Sequence, residues 1–114
     1  MSFLSRLMGG APGAMPPDQF VAERDPDAPL LDVRTPKEYA AGHLAGAENV
    51  DVMAPDFQER IAAMSLPASG PVYLYCRSGN RSGQAAAVLQ RMGHAGAVNV
   101  GGFGPLAQAG AEVA

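Results

Sequence analysis

The sequence predicts an α/β domain in which helices cover both faces of a central, mostly parallel sheet. Short apolar runs rich in Val, Leu and Tyr alternate along the chain with segments whose apolar residues recur at helical spacing. Strands that alternate with helices usually pair in parallel and are buried on both faces. The 114 residues, of which 47% are hydrophobic and 17% charged, suffice for one globular domain. We expect a flexible N-terminal segment at residues 1–14 and the folded domain at residues 15–114.

The order of the elements follows from the apolar pattern and from the prolines and glycines that interrupt it. Strands are predicted at residues 29–33, 48–52, 72–75 and 97–100. Helices are predicted after Pro16, after Thr35, at residues 55–64, at residues 85–92 and near Leu106.

Two local signals sharpen this outline. The second helix begins with a capping box, since Thr35 stands at the N-cap and Glu38 at the third helical position. Near the end of the chain, Gly101 and Gly102 are predicted to form a turn that leads into the last helix.

The charge distribution favours a small anionic ligand. Residues 1–59 carry a net charge of −6, whereas residues 60–114 carry +3 and contain the single cysteine, Cys76. A positive region around one thiol attracts small anions. Nucleic acid usually needs a larger basic surface, so we expect no nucleic-acid partner.

The cysteine and histidine content argues against a metal or a disulfide. One cysteine excludes an intrachain disulfide and a multi-thiolate metal site, and it fits the reducing cytoplasm. His43 and His94 lie far apart in the sequence without a second ligand at metal spacing, so we predict no metal. No apolar run approaches the roughly 20 residues that span a bilayer, and the N-terminus lacks the pattern of a signal peptide. We therefore expect a cytoplasmic protein that does not insert into a membrane.

The residues most indicative of chemistry lie between the third strand and the helix that follows it, in the sequence YCRSGNRS at residues 75–82. Ligands of open parallel sheets bind at the carboxyl ends of the strands. A tight loop there can turn successive backbone N–H groups inward, and the N-terminus of the next helix adds its positive dipole end. These groups, with Arg77 and Arg81, would favour the thiolate form of Cys76, which is the nucleophile. Lowering a thiol pKa from about 8.5 to below 7 requires only about 2 kcal/mol.

An alternative interpretation is that Cys76 is an inert, buried residue at the end of a strand. This is the commoner role for an isolated cysteine. Two arginines and a glycine within five residues of Cys76 favour the reactive role instead, because a structural cysteine has no need of so much positive charge.

Two segments of the sequence resemble the motifs of the rhodanese superfamily. The first is LLDVRTPKEYAAGHLAGAENV at residues 30–50, and the second is VYLYCRSGNRS at residues 72–82. The glycine pair at 101–102 is similar to a pair found late in the family's sequences, and the resemblance covers about residues 15–110. It implies a rhodanese-like three-layer fold, a central mostly parallel sheet flanked by helices. It also implies sulfur transfer from thiosulfate or a related donor to a thiophilic acceptor.

The resemblance also implies roles for individual residues. Cys76 would be the catalytic nucleophile that carries sulfur as a persulfide. The residues expected to bind the donor anion are Arg77, Ser78, Gly79, Asn80 and Arg81. Supporting roles, mostly in the scaffold, fall to Asp32, Arg34, Glu38 and His43.

Within the supporting set we expect specific contacts. Arg34 and Glu38 are predicted to form an ion pair, and Asp32 is predicted to accept hydrogen bonds that brace the loop. His43 is expected to be structural, since a thiolate that its surroundings already stabilise needs no base.

The family chemistry needs no cofactor. The expected partners are thiosulfate or a similar anionic donor, and a thiol, cyanide or a protein as the sulfur acceptor.

Two other functions remain open from the sequence. A related phosphatase or arsenate reductase would need arginine six positions after the cysteine, but that position is Ser82 and Arg81 comes one residue early. The chain could instead be a docking module, or could relay sulfur from one protein to another. The retained Cys76 argues against docking alone and leaves the relay possible.

Overall fold

The structure, a computed structural model, describes residues 14–114 and confirms the α/β fold class. The strands are β1 (Leu30–Asp32), β2 (Glu48–Asn49), β3 (Val72–Cys76) and β4 (Ala97–Gly102). The helices are α1 (Pro17–Glu23), α2 (Pro36–Ala40), α3 (Phe57–Ala63), α4 (Asn80–Arg91) and α5 (Phe103–Gln108). The strands lie in the order β2-β1-β3-β4, and each neighbouring pair is parallel.

The proposed N-terminal segment, apart from Ala14, lies outside the described residues. Ala14 itself forms a parallel bridge to Asn99 of β4.

Two apolar cores, one on each face of the sheet, explain why β3 is buried along its whole length. Successive side chains of a strand point to opposite faces. On one face, Val72, Leu74 and Cys76 pack in a cluster that includes residues of α3 and α4. On the other, Tyr73 and Tyr75 pack in a cluster that includes residues of α1 and α5. A strand at the centre of a sheet covered on both sides therefore has no polar alternation in its sequence.

The capping box of α2 is present as predicted. The Thr35 side chain accepts a hydrogen bond from the Glu38 backbone N–H, and the Glu38 carboxylate accepts one from the Thr35 backbone N–H. These bonds satisfy the backbone N–H groups of the N-cap residue and of the third helical residue.

The predicted strand at 48–52 is shorter in the structure. Only Glu48–Asn49 is a strand, although the N–H of Val50 still donates to Asp32 O at 2.9 Å. Further on, the Asp51 carboxylate accepts from the Met53 N–H at 2.8 Å, a contact typical of a turn.

The glycine pair at 101–102 is not the predicted turn but the end of β4, next to a bulge. The register pairs Leu74 with Asn99 and then Tyr75 with Gly101, so Val100 is the extra residue. Gly101 has φ of +99°, a conformation that glycine adopts without strain. The pair was wrongly predicted because the glycines that permit a turn also permit a bulge.

Gly102 lies directly beneath the loop that follows Cys76. A Cβ added at this position would overlap the carbonyl group of Arg77. The backbones of β4 and the loop are therefore in close contact, and only glycine permits that approach.

We predict that Gly102→Ala destabilises the protein by about 2–4 kcal/mol, because either the loop or the strand must move to admit the methyl group. Equilibrium denaturation with urea would measure the change. Gly104→Ala is the matched control, because a Cβ at Gly104 meets nothing within 4 Å and the residue lies in α5. Equal stability of the two variants would contradict the steric explanation.

Candidate active site

Cys76 is the last residue of β3, and α4 begins four residues later at Asn80. The chain makes this change of direction in three residues because Gly79, at the N-cap of α4, has φ of +98°. A residue with a side chain rarely adopts that conformation. The turn brings the sulfur of Cys76 to the N-terminus of α4, as the sequence predicts for a strand that leads directly into a helix.

Hydrogen-bond donors from the loop and the helix converge on the sulfur. The Gly79 N–H donates to Cys76 Sγ at 3.0 Å. The Ser82 N–H and hydroxyl contact Sγ at 3.4 and 3.3 Å. These donors, with the positive end of the α4 dipole, favour a negative charge on the sulfur.

The balance of burial and hydrogen bonding lowers the pKa of the Cys76 thiol. Burial acts in the opposite direction, because it penalises the charged form. Hydrogen bonds from the Ser82 side chain and backbone and from the amides of Ser78 and Gly79 outweigh that penalty. Thiolate is therefore present in a larger fraction than for an ordinary cysteine.

Cys76 is nevertheless fully buried, with 0% of its surface exposed. The side chain packs with the core cluster on the α3 and α4 face of the sheet. Its partner Gly79 is partly exposed, and Arg77 and Ser78 are exposed. The sulfur is thus shielded from solvent, although the loop residues next to it are exposed.

The predicted ion pair between Arg34 and Glu38 does not form. Arg34 instead pairs with Asp32, with Nη2 and Oδ2 at 2.6 Å, and both side chains are almost completely buried. The backbone N–H of Arg34 also donates to Asp32 Oδ1, and Nη2 donates to the carbonyl of Gly42. Arg34 precedes the N-cap of α2, so the helical spacing that brings residues i and i+4 together does not apply to it.

Glu38 binds Arg81 instead. Two hydrogen bonds of 2.8 and 3.0 Å join its carboxylate to the guanidinium group, and the exposed fractions of the two side chains are 28% and 26%. This pair connects α2 to the first turn of α4. The hydrogen bonds from Arg81, with others from Thr35, lower the pKa of Glu38 to about 2.

A cavity of 410 Å³ opens beside the loop. The residues that line it are Arg34, Glu38, Ala41, Arg77, Phe103, Gly104 and Pro105. Arg77 reaches this cavity, whereas Arg81 and Cys76 are not among the lining residues. The structure therefore places the two predicted donor-binding arginines differently, with Arg77 at the cavity and Arg81 in the ion pair with Glu38.

Tyr75 connects the Asp32 and Arg34 pair to the strand that carries Cys76. Its hydroxyl donates to Asp32 Oδ2 at 2.8 Å and accepts from the Leu44 N–H at 2.9 Å. The Arg34 guanidinium also lies over the Phe103 ring, 4.7 Å from its centroid. Sequence reasoning treated Tyr75 only as a strand residue, because its partners come from distant segments.

The remaining predicted site residues are His43, Ser78 and Asn80. His43 stacks on Tyr39, and its Nδ1 is 2.9 Å from the Tyr39 carbonyl oxygen. Ser78 and Asn80 are exposed in the loop and at the helix start.

Ser82, which contacts the sulfur, and Asn99, which binds Ser82, were missed as functional candidates. Ser82 entered the sequence argument only as the position where a phosphatase has arginine, and Asn99 carried no signal apart from its place before the glycine pair. Within residues 14–114, no group of three or more His, Cys, Asp or Glu side chains could hold a metal ion, and no helix is long and apolar enough to cross a bilayer.

We predict that Glu38→Gln destabilises the protein by about 1 kcal/mol at pH 7, a value that allows for partial solvent screening of the pair. Glutamine keeps the capping geometry and removes the charge. The folded-state pKa of Glu38 is depressed to about 2, so its contribution is present above the unfolded pKa of about 4.5 and is lost as the pH falls toward 2.

Denaturation curves of the wild type and Glu38→Gln at pH 7 and near pH 2.5 would show this convergence. Glu59→Gln serves as the control, because Glu59 is exposed in the first turn of α3. A stability difference that stays constant down to the acidic pH would contradict the ion-pair contribution.

Comparison with known proteins gives a consistent result. The sequence matches the family "Rhodanese-like domain" over residues 17–107. It is 36% identical over 77 residues to the thiosulfate sulfurtransferase PspE of Escherichia coli (strain K12), covering 68% of this chain and 72% of that protein. It is 41% identical over 91 residues to the thiosulfate sulfurtransferase GlpE of Pseudomonas fluorescens (strain SBW25), covering 78% and 79% of the two chains.

Solved structures agree with the sequence relatives. A rhodanese with anions from E. coli superimposes with a TM-score of 0.66 at 31% identity, over 76% of this chain and 96% of the other. The rhodanese-like domain of the Anabaena protein Alr3790 has the same fold, with a TM-score of 0.75 at 23% identity over 91% and 80% of the two chains. The two sequence relatives are thiosulfate sulfurtransferases, and the chain belongs to the family of rhodanese-like domains.

Proposed function

We propose that this protein transfers sulfane sulfur from thiosulfate or a related donor to a thiophilic acceptor, and that Cys76 carries the sulfur as a persulfide. The observation that carries the proposal is the convergence of the Gly79 and Ser82 donors on one sulfur atom. A thiolate attacks sulfur far better than a thiol does. The same donors suit a persulfide, which also bears a negative charge.

The reaction follows from the charges of its participants. The Cys76 thiolate attacks the outer sulfur of thiosulfate and forms a new S–S bond. The bond between that sulfur and the sulfonate breaks, and sulfite leaves with the electron pair. A nucleophilic acceptor, such as cyanide or a thiolate, then attacks the terminal sulfur of the persulfide and releases the Cys76 thiolate.

Arg77 is the best candidate to hold the anionic donor. It is exposed at the loop, lines the cavity, and has no ion-pair partner among the described residues. The charge of Arg81 is partly neutralised by Glu38, so Arg81 contributes less to the local positive potential. The amides of Ser78 and Gly79 add donors close to the sulfur.

A sulfur donor can reach Cys76 only if the residues that shield its sulfur move. Cys76 is completely buried, yet its partner Gly79 is partly exposed. We infer that the loop after Cys76 shifts as a donor enters from the cavity. Because only a few residues must move, the step resembles the short loop closures common in enzymes.

The natural acceptor could be a small thiol, cyanide or a second protein, and in the last case the chain would act as a protein-to-protein sulfur relay. A reducing cytoplasm suits either role, since it protects the free Cys76 thiol from oxidation between transfers.

We predict that incubation with thiosulfate adds the mass of one sulfur atom to the intact protein and that Cys76→Ser shows no gain. Intact-mass spectrometry under non-reducing conditions measures both. Serine replaces the thiol with a smaller hydroxyl, which can accept hydrogen bonds from the Gly79 and Ser82 N–H groups, so the fold is retained. An unmodified wild type with every sulfane donor tried would reject the proposal, and Cys76-dependent hydrolysis of aryl phosphates would support the phosphatase alternative.

We predict that Arg77→Ala lowers kcat/KM for thiosulfate by about tenfold, mainly through KM, because it removes a cation that holds the dianion in both ground and transition states. Arg81→Ala should lower it by a smaller factor, since Glu38 already binds that guanidinium. Steady-state kinetics with cyanide as acceptor gives both values. Arg91→Ala, an exposed arginine in the last turn of α4, is the control for net charge. The assignment of Arg77 fails if its variant behaves like Arg91→Ala.

A further inference from the structure

Asn99 of β4 forms hydrogen bonds to Gly79 and Ser82, two of the residues that contact the sulfur. Its Nδ2 donates to the carbonyl oxygen of Gly79 at 3.0 Å. Its Oδ1 accepts from the Ser82 hydroxyl at 2.7 Å and from the Gly101 N–H at 3.0 Å. A backbone N–H can only donate and a carbonyl oxygen can only accept, so these partners fix the orientation of the amide.

The bulge in β4 gives Asn99 this position. The extra residue, Val100, shifts the register after Asn99, and the Gly101 N–H turns back to the Asn99 side chain. The amide also lies close to Gly83 of α4, because a Cβ added at Gly83 would be 3.4 Å from Asn99 Nδ2. Asn99 therefore cannot move without breaking contacts with the loop and with α4.

We propose that Asn99 is a positioning residue that holds Gly79 and Ser82 against Cys76 and thereby maintains the reactive form of its sulfur. The catalytic consequence rests on the proposed function, whereas the effect on the thiol does not. Asn99 makes no hydrogen bond to Sγ in the structure, so it acts only through its neighbours.

The path through Gly79 is the more direct. Its carbonyl oxygen is held by Asn99, while its N–H donates to Sγ at 3.0 Å, the shortest hydrogen bond that the sulfur receives. The same carbonyl also accepts from the Gly83 N–H at 3.0 Å in the first turn of α4, so Asn99 ties this helix start to β4. Removing the Asn99 amide breaks that tie and lets Gly79, with its N–H, shift relative to Sγ.

The path through Ser82 depends on a single proton. The hydroxyl oxygen lies 2.7 Å from Asn99 Oδ1 and 3.3 Å from Cys76 Sγ. The hydroxyl has one proton, which donates either to Asn99 Oδ1 or to Sγ. Through the first contact Asn99 holds the oxygen within reach of the sulfur, so the proton can turn to the thiolate without movement of the heavier atoms.

The charges around the thiol are unaffected by a change at Asn99. Arg77 is next in sequence, Arg81 interacts electrostatically with Cys76, and the carboxylates of Glu38 and Asp51 act on Arg81. An uncharged substitution at Asn99 therefore changes hydrogen bonding and leaves these groups in place.

We expect Asn99→Ala to raise the pKa of Cys76 by about one unit, the effect of losing roughly one hydrogen bond to a charged group. The rate of alkylation by iodoacetamide, followed by intact mass from about pH 5 to about pH 10, measures this pKa without any sulfur transfer. The variant should react about tenfold more slowly than wild type at low pH and reach the same rate at high pH. The kcat/KM for thiosulfate should fall with the same pH dependence.

Gln90→Ala is the matched control, because Gln90 also joins α4 to β4 through one side-chain amide, to Ala97 O at 2.9 Å, but at the other end of the helix. Asn99→Ser, which keeps one polar atom near the Gly101 N–H, replaces the alanine variant if that variant does not fold. The proposal is overturned if the pH profile of the Asn99 variant matches the wild type, or shifts no more than that of Gln90→Ala. A wild type that never accepts sulfur, with the pKa difference intact, would reject the proposed function and leave the role of Asn99 standing.

Discussion

A buried sulfur surrounded by hydrogen-bond donors is the interaction on which the rest of this structure depends. Removing a thiolate from water is costly, and burial alone would keep Cys76 protonated. The donors from Gly79 and Ser82 reverse that balance only because backbone geometry holds them within 3.0 to 3.4 Å of the sulfur. Preorganised donors of this kind need no rearrangement when charge develops.

Residues on both faces of β3 support the site. Cys76 faces the core of α3 and α4, while its neighbour Tyr75 faces the opposite core and joins the Asp32 and Arg34 pair. The carboxylate of Asp32 is completely buried, but it accepts hydrogen bonds from both Arg34 and Tyr75. A buried ion pair satisfied in this way contributes a defined geometry more than net stability. It fixes the strand end from which the loop after Cys76 starts.

Local patterns in the sequence were sufficient for the fold class and for the position of Cys76 between a strand and a helix. The capping box depends on residues three positions apart, and the donors to Cys76 come from the six residues that follow it, so both are visible in short segments. The ion pairs were not predictable in this way. Arg81 and Glu38 are 43 positions apart, and the pairing of Arg34 with Asp32 depends on a loop direction that spacing alone does not give.

The contacts of Asn99 with the loop after Cys76 could not be predicted from local sequence either. Asn99 is 20 positions from Gly79, and it reaches the loop because one extra residue changes the register of β4. A bulge and a turn have the same glycine signature, so the sequence favoured the wrong one of the two. Only the pairing of β3 with β4 distinguishes them, and that pairing is a tertiary feature.

The strand order has a consequence for how the chain is divided. β1 and β2 come from the first part of the sequence and lie side by side, and β3 and β4 come from the rest. The pairing of β1 with β3 therefore joins two consecutive pieces of the chain. Divided after residue 69, the two pieces have opposite net charges, −5 for residues 1–69 and +2 for residues 70–114. The exposed connection at 68–70 is the natural place to cut the polypeptide, and the attraction between the pieces favours their reassembly into one sheet.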